Sequence, residues 1–190
     1  MAGERFRNKT FRNYHADKDG KDKAHLQLIH AMYEQFDKFL KSGMGGLVLG
    51  SYGCGKTHLE VALGRALIRK GYSVRMYGAS ELYDKYMAAF SWKLAYSPQD
   101  VIEEACHADL LILDDVGINT LDTDRDNFAK FFYGLINYRY KQKKPLLMST
   151  NLQKSELVSA LTPRVYDRIL GMTYCVVNKS SSKRQKENKL

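Results

Sequence analysis

The chain has 190 residues, 44% of them hydrophobic, and 30 Lys/Arg against 21 Asp/Glu give a net charge of +9. That length makes one domain with tails, able to bury about 70% of its unfolded surface without disulfide or metal staples. Cys54, Cys106 and Cys175 form no C-x-x-C pair and read as reduced thiols; with neither a secretory signal nor an apolar run of about 18 residues, a cytoplasmic protein with no membrane partner is expected.

The cations are clustered. Residues 1–25 hold seven Lys/Arg against four acids, 137–144 hold four cations and no acid, and the segment from Asn178 holds five cations against Glu187. The rest of the chain is close to neutral, so the charge predicts a polyanionic partner. Residues 1–23 read as a basic leader with Phe6, Phe11 and Tyr14 as anchors, 24–178 as the folded body, and 179–190 as a basic polar tail. The spacing of Leu28, Ile29, Met32, Phe36 and Phe39 predicts a helix over 25–40, stopped at Ser42-Gly43. A strand at 47–49 and a helix over 56–70 ending at Gly71 come next, then a strand at 73–77. A helix over 79–90, capped by Ser80, precedes a further helix from Pro98 to about Cys106. The apolar strand 109–113 leads to a long helix over 124–140, a strand at 145–149, short helices over 154–161 and 162–170, and a strand at 174–177. Such alternation predicts an α/β fold, a parallel sheet with helices on both faces.

Between the first strand and its helix stands Gly50-Ser51-Tyr52-Gly53-Cys54-Gly55-Lys56-Thr57, a G-x-x-x-x-G-K-T phosphate-binding loop. Glycines let backbone N–H groups turn inward on phosphate oxygens, the lysine reaches the β/γ-phosphates, and the threonine hydroxyl ligates Mg²⁺. The helix that follows adds its positive dipole end. ATP and Mg²⁺ are the expected ligands. Leu110-Leu111-Ile112-Leu113-Asp114-Asp115 supplies the matching acids, Asp114 for the metal and Asp115 to activate water. The strand at 73–77 lies between these two motifs in the chain. That order fits NTPases with a strand inserted between them in the sheet, rather than nucleotide kinases or GTPases. Asn151 follows the strand 145–149, whose end meets the same rim, so it either orients the attacking water beside Asp115 or simply begins an ordinary turn. Arg164 and Arg168 share one helical face, as an arginine acting on a phosphate or as a surface ion pair with Asp167.

In this order and spacing, Gly-Cys-Gly-Lys-Thr-His-Leu, Leu-Leu-Ile-Leu-Asp-Asp-Val-Gly, Ser-Thr-Asn and Pro-Arg-Val-Tyr-Asp-Arg-Ile resemble the AAA+ P-loop ATPase domain of the bacterial DnaC/DnaI helicase loaders and the related transposition helper IstB. The resemblance runs over residues 5–185, the leader included. It implies Lys56 and Thr57 as the Walker A pair, Asp114 as the Mg²⁺ residue and Asp115 as the water-activating acid. It also implies Asn151 as sensor 1, Arg168 as an arginine finger acting across a self-association interface, and Arg184, beside Lys183, as sensor 2. Loaders carry an extra helical element that touches single-stranded DNA, here 82–94, with Phe90, Trp92 and Lys93 as the expected contacts. The competing reading makes Leu82, Tyr86 and Phe90 a buried helix face. The implied function is ATP-dependent assistance in loading a DnaB-type replicative helicase. Two alternatives stay open, a transposition helper on duplex DNA and an ATP-binding module docking on a replication protein. Loaders also carry a separate N-terminal helicase-gripping domain, and this chain begins where their ATPase domain begins.

Overall fold

A computed structural model describes residues 6–91, 93–117 and 125–183. The first strand, β1 (Gly45–Gly50), follows two helices, α1 (Lys23–Glu34) and α2 (Phe36–Ser42). After it come α3 (Lys56–Arg69), β2 (Val74–Gly78), α4 (Ala79–Ala88), α5 (Pro98–His107) and β3 (Leu110–Asp114). The remainder is α6 (Arg125–Lys141), β4 (Leu146–Thr150), α7 (Lys154–Leu161), α8 (Pro163–Met172) and β5 (Thr173–Asn178). Among the described residues the strands form one parallel sheet in the order β2-β3-β4-β1-β5.

Alternation along each strand divides the core in two. Leu47, Leu111, Leu113, Leu146 and Met148 face a cluster built with α4 to α8, including the stacked Phe128–Phe132 pair. Val48, Val74, Leu110, Ile112 and Leu147 face a second cluster with α1, α2 and α3. Apolar side chains therefore leave both sides of each central strand, which is why those strands read as continuous hydrophobic runs. The expected helices on both faces are present.

Two expectations change. The helix predicted over 25–40 is two helices, broken at Gln35 (φ −123°, ψ 34°). The break lets Phe36 turn edge-on against Tyr72, at 4.7 Å, while keeping the apolar spacing that disguised it. Ser80 does not cap α4; Gly78 occupies the cap position, and the Glu81 carboxylate reaches back to its N–H at 3.3 Å. The expected strand inserted between β1 and β3 in the sheet is present: it is β4, while β2, which separates them in the chain, lies at the sheet edge.

The basic stretch 137–144 is also not uniformly a surface. Arg139 is fully buried and donates to the carbonyls of Ala105 (2.8 Å), Cys106 (3.0 Å) and Ala108 (3.1 Å), and to Pro145. One guanidinium thereby closes the end of α5 and joins the entries of β3 and β4. Lys144 closes on the His107 carbonyl at 2.8 Å. Replacing Arg139 leaves several buried carbonyls unpaired, each costing about 1–3 kcal/mol. Arg139→Leu is expected to lower stability by about 3 kcal/mol, read as a fall in the urea midpoint at unchanged slope.

Candidate nucleotide site

In a parallel sheet the C-terminal strand ends share one rim, and β1, β3 and β4 stand side by side there. The loop leaving β1 carries Gly53 at φ 74° and Gly55 at φ 103°, left-handed conformations that favour glycine. A Cβ on Gly55 would also sit 2.8 Å from the Tyr14 ring, so leader and loop are packed together at that point.

Lys56, at 5% exposure, is buried and spends all three ammonium donors locally. They go to the carbonyls of Gly50 (2.7 Å) and Ser51 (3.1 Å) and to Asn151 Oδ1. Asn151 Nδ2 in turn donates to Asp115 Oδ1 at 2.7 Å. Thr57 Oγ1 donates to Asp114 Oδ2 at 2.7 Å, and Ser149 Oγ to Asp114 Oδ1 at 2.6 Å. The two consecutive acids face different partners because Asp115 adopts φ 53°, a left-handed backbone costing about 1–3 kcal/mol in a non-glycine residue. The turn is held from below by Val116 N–H on the Ser149 carbonyl (2.8 Å) and by Thr150 Oγ1 on the Val116 carbonyl (2.7 Å).

Leader and tail form the outer wall. Lys183 Nζ donates to Tyr14 Oη (2.7 Å), the His15 carbonyl (2.6 Å) and Asp22 Oδ2 (2.8 Å), while its backbone N–H reaches the Gly53 carbonyl at 2.9 Å. Tyr14 also donates to Asp22, at 2.8 Å. Burial alone would raise the Asp22 carboxyl. The hydrogen bonds from Lys183, Tyr14 and the Asp17 backbone overcome that and hold it below the usual carboxylate range. Asn178 donates to the Cys54 carbonyl (3.3 Å) and to His25 Nδ1 (3.1 Å), and burial keeps that imidazole neutral, with its pKa pushed down to about 3. The cleft between this wall and the phosphate loop, about 350 Å³, is lined by Tyr14, Gly53, Lys56, Thr57, Asp115 and Asn151 among others.

The structure thus gathers Lys56, Thr57, Asp114, Asp115 and Asn151 with residues 50–55. Arg168 is elsewhere, on α8, and does not line this cavity. Arg184 and Trp92 lie outside the described residues. Phe90 is 64% exposed and stands edge-on to Tyr86 (5.3 Å), Lys93 is exposed too, and Leu82 is buried. The supposed buried face of α4 therefore ends at Tyr86. Burial raises the Cys54 thiol pKa, which keeps it protonated inside the loop.

Sequence reasoning missed Asp22 and Glu60. Asp22 stood in a leader read as irregular. Glu60, one turn beyond Thr57, is fully buried, and its carboxyl has no hydrogen-bond partner among the described residues. Its one legible signal was an acid on the buried stripe of α3. Burial, and then the negative charge of Asp114, push its pKa well up. The folded chain therefore keeps a proton that the unfolded chain gives up above the ordinary carboxylate range. That stability is full at acid pH and drains as pH rises, by about 1.4 kcal/mol per pH unit. Glu60→Gln is expected to remove this slope and to be the more stable protein at pH 8, in urea unfolding without nucleotide or Mg²⁺.

A family model described as "IstB-like ATP binding protein" matches residues 14–190. The chain belongs to the IstB-like ATP-binding family. This IstB-like chain is 27% identical over 172 residues to the replicative helicase loader DnaC of Escherichia coli K12, covering 90% of its own length and 66% of that relative. It thus spans just under two thirds of that protein. The crystal structure of the DnaC helicase loader superposes with a TM-score of 0.78 at 26% identity, over 93% of this chain and 99% of that one. The replication initiator DnaA bound to AMPPCP and single-stranded DNA superposes at 0.76 with 20% identity, over 94% of this chain and 52% of that one, a likeness of fold. The fold of this IstB-like chain is that of the AAA+ P-loop ATPases. No helix among the described residues is long and apolar enough to cross a membrane.

Proposed function

We propose that this IstB-like chain is a cytoplasmic, ATP-hydrolysing AAA+ subunit of helicase-loader type, which binds single-stranded DNA and assists the loading of a DnaB-type replicative helicase. The observation carrying the reading is the linked set Lys56–Asn151–Asp115 beside Thr57–Asp114, at the mouth of a cavity large enough for a nucleotide. The likeness to DnaC supports the replicative role.

The chemistry follows from what each side chain holds. Arriving phosphates offer Lys56 charge-assisted bonds in place of neutral carbonyl and amide acceptors, so its ammonium turns toward them and leaves Asn151 Oδ1. Asn151 then holds Asp115 through Nδ2 and presents its freed oxygen to water. Asp115 takes the proton as that water attacks the γ-phosphorus in line, and ADP leaves. Mg²⁺ fits the hydroxyl of Thr57 and the carboxylate of Asp114, where it would neutralise charge developing on the phosphates. Arg168, absent from its own chain's cavity, acts on the γ-phosphate of a neighbouring subunit, so an isolated subunit turns over slowly. The exposed Phe90 and Lys93 offer a stacking and charge surface for unpaired bases, and the sequence adds Trp92 as a further candidate.

Arg168→Ala is expected to keep ATP affinity and lose DNA-stimulated turnover by about 10³-fold; unchanged turnover would remove the arginine from the mechanism. Fluorescence anisotropy at fixed salt, with and without a non-hydrolysable ATP analogue, tests the nucleic-acid assignment. Tighter single-strand binding with the analogue is the expected result. The family match favours one other reading, a transposition helper, and duplex preference in the same titration would select it. Binding to neither strand form would leave a module that docks on protein.

A further inference from the structure

Arg168 is not a loose surface side chain. Its Nε donates to Asn137 Oδ1 at 3.1 Å, and its Cζ lies 5.0 Å from the centre of the Tyr133 ring. The Cζ of Arg164, one turn earlier on α8, lies 4.9 Å from the same ring. Tyr133 and Asn137 are themselves one turn apart on α6, so two helical faces present two guanidiniums from one aromatic platform. Among the described residues the outer ends have only a long 3.4 Å contact from Arg168 Nη1 to the Arg164 carbonyl, and no carboxylate pairs with either arginine.

Physical chemistry limits what such an arrangement is for. A cation over an aromatic ring gains about 0.5–1 kcal/mol at an exposed site, but two cations sharing one ring repel. A pair built only for stability would include an acid, and none of the described carboxylates pairs with these two arginines. Anchoring Nε to a neutral amide also fixes the guanidinium plane without neutralising it, and leaves the Nη edge for a planar, two-point grip on an oxyanion.

We propose that Tyr133 and Asn137 are positioning residues that hold Arg168, with Arg164 as a second cation, aimed at phosphate oxygens in the site of a neighbouring subunit. This rests on the reading of Arg168 as a residue acting in trans. Losing either support lets the guanidinium swing, and a misplacement of about 1 Å is enough for about a 10²-fold loss.

The test is a mixing experiment on ATP turnover. Asn137→Ala and Tyr133→Leu are each expected to turn over ten- to a hundred-fold more slowly (roughly the misplacement scale), with unchanged nucleotide affinity, and Tyr133→Phe to stay within about two-fold of the parent because the ring is kept. Adding Lys56→Ala chains, which lack a working phosphate loop but keep their arginines, is expected to restore turnover to the Asn137→Ala chains. Failure of that rescue while Arg168→Ala chains are rescued by the same addition, or parental turnover in both Asn137→Ala and Tyr133→Leu while Arg168→Ala is slow, overturns the positioning role and leaves the trans reading standing. Failure to rescue either variant overturns the trans reading. Parental turnover in Arg168→Ala, or a parent chain that neither hydrolyses ATP nor self-associates with it, overturns the trans reading itself. If the variants lose single-strand affinity and keep turnover, the arginines serve a nucleic-acid phosphate and the proposal falls.

Discussion

Both oxygens of one carboxylate hold the working rim together. Asp114 ends β3, takes a hydroxyl hydrogen bond from Thr57 at the start of α3, and takes another from Ser149 near the end of β4. These bonds are short because β4 lies between β1 and β3, so the phosphate loop and the acidic strand face each other across one intervening strand. With β4 elsewhere, Asn151 would not stand between Lys56 and Asp115. The sheet order is therefore what assembles the site, and core packing covers both faces of the strands that carry it.

The same rim keeps several groups in costly states. Lysine is buried with three neutral acceptors, Asp115 holds a left-handed backbone, and Glu60 is a buried acid whose pKa burial and the Asp114 charge push well up. Each is unfavourable alone and is offset by rigid packing below the rim, where Leu110 to Leu113 are fully buried. Strain of this kind gathers where a ligand will later supply the missing interactions.

Much of this was legible in the sequence because local rules wrote it. The glycines of the loop, the apolar run into Asp114-Asp115 and the strand into Asn151 each announce themselves within about eight residues. Contacts between distant segments were not legible. Nothing in the pattern around Phe36 signals the break at Gln35, since both arrangements bury the same apolar spacing. Arg139 looked like one more cation in a basic run, and only the convergence of α5, β3 and β4 turns it inward. Lys183 and Asp22, separated by 161 positions, form an ion pair that no local pattern reports.

That last pair has a mechanical consequence. Leader and tail approach from opposite ends of the sequence and are knotted together by Lys183, Asp22 and Tyr14, directly on the backbone of Gly53 and Gly55. Tension entering through either end of the folded body thus reaches the phosphate loop before it reaches the sheet. Pulling the two segments apart would strip the loop of its outer support while leaving the core intact. A nucleotide held in that loop would, conversely, act as a fastener between the ends.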